Sequence, residues 1–215
     1  MLRILADWLR PRDMRSPDGL AEFIGTETSR IAQKATTGYC RTKAGANVEL
    51  LFKEKVFLDA LEVSRWSAFG LVLADICLVA EGYLRPFAKG REDALAAWIT
   101  GVFDAHLDAN PRPGTEGDDG EGDRWAAERA EFRARLARSR MAEPIPAANV
   151  GFDTAQRIYD GLPVHPKLRR EDFELVQNLM RFGHIAFREE LERHLDAEAV
   201  LAALPKGSDG DGERR

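Results

Sequence analysis

Residues 66 to 84 read "WSAFGLVLADICLVAEGYL", and the reading of this stretch decides the fold. It is almost wholly apolar, with Asp75 at its middle and Glu81 near its end. A membrane-spanning helix needs about 20 consecutive apolar residues, and an Asp at its centre costs about 2.5–3.5 kcal/mol on insertion scales. The stretch is slightly short and carries that penalty. The turns before it, "ELLFKEKVFLDALEVSR", are strongly charged. A helix that is apolar on every side is what the centre of a bundle requires, because it is covered from all directions. The stretch reads as a core helix.

The helical pattern extends outward over residues 47 to 86, with no internal proline and only Gly70 and Gly82 as weak points. Unbroken, it would reach about 60 Å at 1.5 Å per residue, more than an ordinary domain's width. A break or kink is therefore expected, near Gly70. Before it, residues 2 to 9 place Leu2, Leu5 and Leu9 on one helical stripe that Pro11 stops, and Ser16 with Pro17 opens a helix running to about Tyr39. After it, amphipathic helices are expected over residues 91–110, 124–140, 153–160 and 169–204. Ala, Leu, Glu and Arg dominate while β-branched residues are sparse, which favours helix throughout. The expected fold is all-α: an irregular helical bundle of about six or seven helices around a long, kinked, central apolar helix. It forms a single domain over residues 1–204, with a flexible acidic loop at 110–123, a Pro-rich linker at 143–148 and a disordered tail at 205–215.

The formal net charge is −5, and Glu116, Asp118, Asp119, Glu121 and Asp123 of the acidic loop account for it. No overall basic field is left to attract nucleic acid. Cys40 and Cys77 form no C-x-x-C pair and read as reduced thiols, which with the absence of an uninterrupted apolar leader places the chain in the cytoplasm.

Motifs that would name an activity are missing. "KAGAN" and "GTETS" lack phosphate-loop spacing, and Ser64, Ser67 and Ser139 lack a nucleophile-elbow context. "TEGDDGEGD" does not match a calcium-loop spacing and reads as solvated linker. No Glu-x-x-His pair occurs, so the di-iron bundle signature is absent. No cofactor is implied by any motif, and no family resemblance is carried by the residues.

Four polar groups nevertheless fall within apolar stretches or stripes, Asp75, Glu81, His106 and His184. Glu81 has Arg85 one turn later as a partner, but Asp75 has only Leu71 and Val79 at that spacing. A buried Asp75 must meet a cation, accept hydrogen bonds, bind a metal or hold a proton. His106 and His184 lie in the apolar stripes of their helices, so Asp75, His106 and His184 together are a candidate metal or acid–base site. The competing reading for Asp75 is an ion pair with an Arg or Lys of another helix.

For partners, two basic amphipathic segments stand out. Leu5, Trp8 and Leu9 form an apolar face flanked by arginines, suited to a partner groove or, through residues 1–12, to peripheral membrane contact. Arg129 and Arg133 belong to an arginine-rich helix suited to an acidic protein, an anionic lipid or RNA, or else presenting a solvated face that the acidic linker beside it neutralises. The sequence thus favours a protein-interaction module, an adaptor, assembly factor or regulatory subunit acting through helix faces with a protein partner or as a homodimer. The alternative is a helical-bundle enzyme or a metal- or ligand-binding protein with an internal Asp/His site.

Overall fold

A computed structural model describes residues 14–112, 123–169 and 172–205. The described residues are helices joined by short turns, with no strand. Helix α1 (Pro17–Gln33) starts where the sequence places it: Ser16 Oγ accepts from Gly19 N–H at 3.1 Å, and Pro17 occupies the first helical position, where no amide hydrogen is needed. It passes through one π turn (Lys34–Gly38) into α2 (Tyr39–Ala44). Gly38 does not end it. Gly45 does, at φ +53° and ψ −126°, a backbone conformation open to glycine.

The central segment breaks, but not at Gly70. Helix α3 (Val48–Leu51) is followed by a turn at residues 52–54, and α4 then runs without interruption from Lys55 to Ala88, about 51 Å. Gly70 serves packing instead. A Cβ there would lie 2.9 Å from Trp125 Cζ3, so the missing side chain lets the indole lie against the helix backbone. Lys89 in the left-handed region and Gly90 at φ +86° then turn the chain.

Around α4 are packed α5 (Glu92–Ala109), α6 (Ala126–Ser139), the short α7 (Ala147–Val150), α8 (Phe152–Asp160), α9 (Phe173–His194) and α10 (Ala197–Ala203). The expected last helix is split: Asp196 Oδ1 accepts from Ala199 N–H at 3.0 Å and caps α10, while Asp196 N–H donates to Met14 O at 3.1 Å. Val72, Leu73, Ile76, Cys77, Ala80 and Leu84 of α4 are fully buried, and α1, α5 and α9 direct their apolar stripes at them. Phe23 of α1 stacks on Phe187 of α9 at 5.1 Å, and Phe103 of α5 on Phe132 of α6 at 4.1 Å. Among the described residues α4 alone is long and apolar enough to cross a membrane, and 72% of its apolar window is buried inside the protein. It is covered as a core helix is. Cys40 and Cys77 are free, buried thiols, and burial raises both pKa values, that of Cys40 to about 11.

The expected Glu81–Arg85 pair forms and is bidentate, with Nε–Oε1 at 2.9 Å and Nη2–Oε2 at 2.6 Å. Arg85 also donates to the Ser139 and Ala142 carbonyls at 3.0 and 2.7 Å, tying the end of α6 to α4. Glu81 is 1% exposed, so it depends on this cation. Arg85→Met strands a buried carboxylate and is expected to lower the urea-unfolding free energy by about 3–5 kcal/mol. Lys55→Met, which removes the exposed Lys55–Asp59 pair, is expected to change it by less than about 1 kcal/mol.

Candidate functional site

Asp75 sits on α4 at zero exposure, in the middle of the core helix. Three other helices supply its surroundings. Arg135 of α6 donates from Nη2 to Asp75 Oδ1, and Thr154 of α8 donates its hydroxyl to the same oxygen at 3.0 Å. His184 of α9, also fully buried, brings Nε2 to 3.7 Å from Asp75 Oδ2. Both partners on Oδ1 leave the second oxygen bare. Among the described residues Oδ2 and both nitrogens of His184 have no hydrogen-bond partner, three orphaned polar atoms in one place. Such atoms each carry a desolvation cost, and they concentrate where a structure is built for something other than stability.

The closeness of this cluster rests on Gly151, at the junction of α7 and α8. A Cβ on Gly151 would overlap His184 Cε1 and come within 2.9 Å of Nδ1 and 3.0 Å of Asp75 Oδ2. The backbone of this junction therefore lies directly on the Asp75–His184 pair. Its neighbours Val150 and Phe152 line a surface cleft of about 300 Å³, and so does Arg135. Arg135 thus spans the boundary: its Nη2 donates to Asp75, and the residue also lines the cleft.

Burial pushes the His184 imidazole below its ordinary pKa of 6.5; the Asp75 carboxylate works against that shift and the Arg135 cation adds to it. The imidazole is neutral at pH 7 and holds one donor and one acceptor nitrogen. Next to a carboxylate, that is the equipment of a hydrogen-bonding pair able to hold or pass a proton.

Of the expected Asp75, His106 and His184 triad, the structure brings two together. His106 is spent elsewhere: its Nε2 lies 2.8 Å from Ala21 O of α1, and because a carbonyl only accepts, Nε2 carries the hydrogen. Its ring lies against Gly25, in a separate cleft of about 280 Å³ with Glu22, Thr26, Ser29 and Asn110. Among the described residues no group of three His, Cys, Asp or Glu side chains is placed to hold a metal ion, so the three-residue metal site is not formed. The physical reason is register: His184 turns into the core beside Asp75, whereas the half-buried His106 turns to α1 at another seam of the bundle.

Of the expected partner-binding residues, Leu5, Trp8 and Leu9 lie outside the described residues. Arg129 is occupied within the chain, by Asp104 at 2.7 Å, Asp108 at 2.6 Å and Asp123 at 2.9 Å, and Arg133 pairs with Asp104 at 2.6 Å. The acidic residues beside this helix neutralise it. Arg135, Thr154 and Gly151 were not singled out in the sequence, where Arg135 is one of six arginines in its helix region and nothing marks its inward position. The only signal was indirect, the need of a buried Asp75 for a cation.

Compared with known protein families, with curated proteins and with solved structures, the chain matches none.

Gly151→Ala forces a methyl group into His184 and is expected to lower stability by about 1–3 kcal/mol in urea unfolding. The pH dependence has a definite sign. The folded state holds His184 neutral below 6.5 while the unfolded chain takes up the proton, so its contribution is complete above about pH 6.5 and is lost as the pH falls. The slope approaches about 1.4 kcal/mol per pH unit. Unfolding free energies measured from about pH 7.5 down to 5 are expected to fall less steeply for His184→Gln than for the wild type; equal slopes would refute a neutral, buried imidazole.

Proposed function

We propose that this protein is a helical interaction module, an adaptor, assembly factor or regulatory subunit that works through an exposed helix face. The observation that carries this reading is a stripe on α9. Leu175, Leu179, Phe182 and Ala186 follow one another at spacings of four, three and four residues, which places them along one side of the helix. Leu175 is 48% and Phe182 64% exposed, Ala186 is exposed, and Leu179 is partly buried against the core. The face that α9 turns into the bundle, through Val176, Met180, Phe187 and Leu191, is a different one. Leu175, Phe182 and Ala186 are therefore left outside the core, and apolar side chains aligned on a surface helix suit a partner helix.

The spacing reads the same from either end. A two-fold axis at its centre sets Leu175 opposite Ala186 and Leu179 opposite Phe182 of a second copy, the self-complementarity that an isologous dimer needs. The occupant proposed is accordingly the same face of another copy of this chain. The N-terminal arginine-flanked segment and the cytoplasmic location belong to the same proposal and rest on the sequence alone.

Sedimentation velocity on the full chain tests it. The wild type is expected to sediment as a dimer, and Phe182→Asp to weaken association at least about tenfold. Because Phe182 lies outside the core, its unfolding free energy is expected to stay within about 0.5 kcal/mol of the wild type. A wild type that remains monomeric at about 100 μM, far above the concentration at which a standard-size interface associates, would overturn self-pairing. So would a Phe182→Asp dimer as tight as the wild type's.

A further inference from the structure

The geometry points to a second function at the cleft beside Arg135: a binding site for a free amino acid with an apolar side chain. The cleft of about 300 Å³ lies at the lower end of the range for small-molecule sites. Its lining carries two cations, Arg135 and Arg138, and two carboxylates, Glu143 and Asp153. Arg138, Glu143 and Asp153 have no ion-pair partner among the described residues, so both signs of charge stand uncancelled around one cleft. A purely anionic ligand would be opposed by the carboxylates, and a purely cationic one by the arginines. A molecule with ammonium and carboxylate on one carbon answers both, bridging an arginine and a carboxylate that do not reach each other. Beside the polar Ser139 and Asn149, the wall has an apolar part formed by Leu78, Ile145, Val150 and Phe152. Ile145 and Phe152 are 54% and 59% exposed, and a branched or aromatic ligand side chain would cover them.

The buried cluster prepares this site. Arg135 has 18% of its side chain exposed and is held from behind by Asp75, which Thr154 holds in turn. A guanidinium has five N–H donors in a rigid plane, and Asp75 takes one of them, on Nη2. Arg135, a residue of the cleft wall, is thereby held in place before any ligand arrives, which lowers the ordering cost of binding. The unpartnered atoms of Asp75 and His184, both fully buried, lie directly behind Gly151, between two residues of the cleft wall. The polar groups of this region are thus incompletely matched by the protein itself. The α9 stripe plays no part in this inference, so either proposal can fail alone.

The test is nuclear magnetic resonance titration of the isotope-labelled full chain with L-leucine, N-acetyl-L-leucine and L-leucinamide. L-Leucine is expected to shift the Asn149 and Gly151 amide signals saturably, with a Kd of about 1 mM or tighter. N-acetyl-L-leucine lacks the ammonium and L-leucinamide the carboxylate, and each is expected to bind at least about tenfold more weakly. Arg138→Gln, at an exposed position without a partner, is expected to weaken L-leucine by about tenfold while signals outside the cleft keep their positions. Absence of a saturable shift with L-leucine overturns the proposal. Equal binding of N-acetyl-L-leucine overturns it as well, since recognition would then need no ammonium, and equal binding of L-leucinamide does the same for the carboxylate.

Discussion

The structure depends on one requirement: α4 is apolar on every side and must be covered on every side. Fully burying one Leu, Ile or Val is worth about 1.5–3 kcal/mol, and this helix presents such residues around its whole circumference from Phe69 to Leu84. No single neighbour can cover that surface. The chain answers with α1, α5 and α9 as the principal cover and with α6, α8 and α10 in the remaining gaps. Close approach is bought locally by small residues, as where Gly70 admits Trp125. The first turns of α4, charged and only partly covered through Phe57, Leu61 and Ser64, lie beyond the reach of this requirement.

Two carboxylates interrupt this core helix, and they are satisfied by different means. Glu81 finds its cation one turn away on its own helix, and the same arginine then fastens the end of α6. Asp75 lies too deep for a local partner and draws Arg135 from α6, Thr154 from α8 and His184 from α9. The first arrangement satisfies every oxygen of the carboxylate. The second leaves Oδ2 and the whole imidazole without partners. A buried pair completed by hydrogen bonds specifies a fold, whereas one left incomplete beside a cleft invites a functional reading. This contrast, within two turns of one helix, separates structural from candidate functional polarity in this protein.

The two proposed activities use different parts of the molecule. The α9 stripe is an outer face on which Leu175 and Phe182 stay exposed. The Arg135 cleft lies where α6 and the start of α8 meet over α4. They share α9 only in that its inner face carries His184 and its outer face Phe182. The 22-residue helix is the one element common to both.

The sequence by itself determined the elements and their inward faces. Helical periodicity, the Ser16–Pro17 start, the buried character of residues 66–84 and the Glu81–Arg85 pair are all local, set by residues within a turn or two of one another. Interruptions were less legible. Gly70 has the weak helix propensity of a break but serves close packing, while the actual turn at residues 52–54 has no glycine or proline to announce it. Only the tertiary structure decided which faces meet. It joined Asp75 to an arginine 60 residues away and to a histidine on the last long helix, placed Gly151 against them, and left His106 on another seam. Periodicity fixes the side of a helix on which a residue lies. The rotation and offset at which two helices pack are set by the fit of many side chains at once, and no short stretch of sequence contains that information.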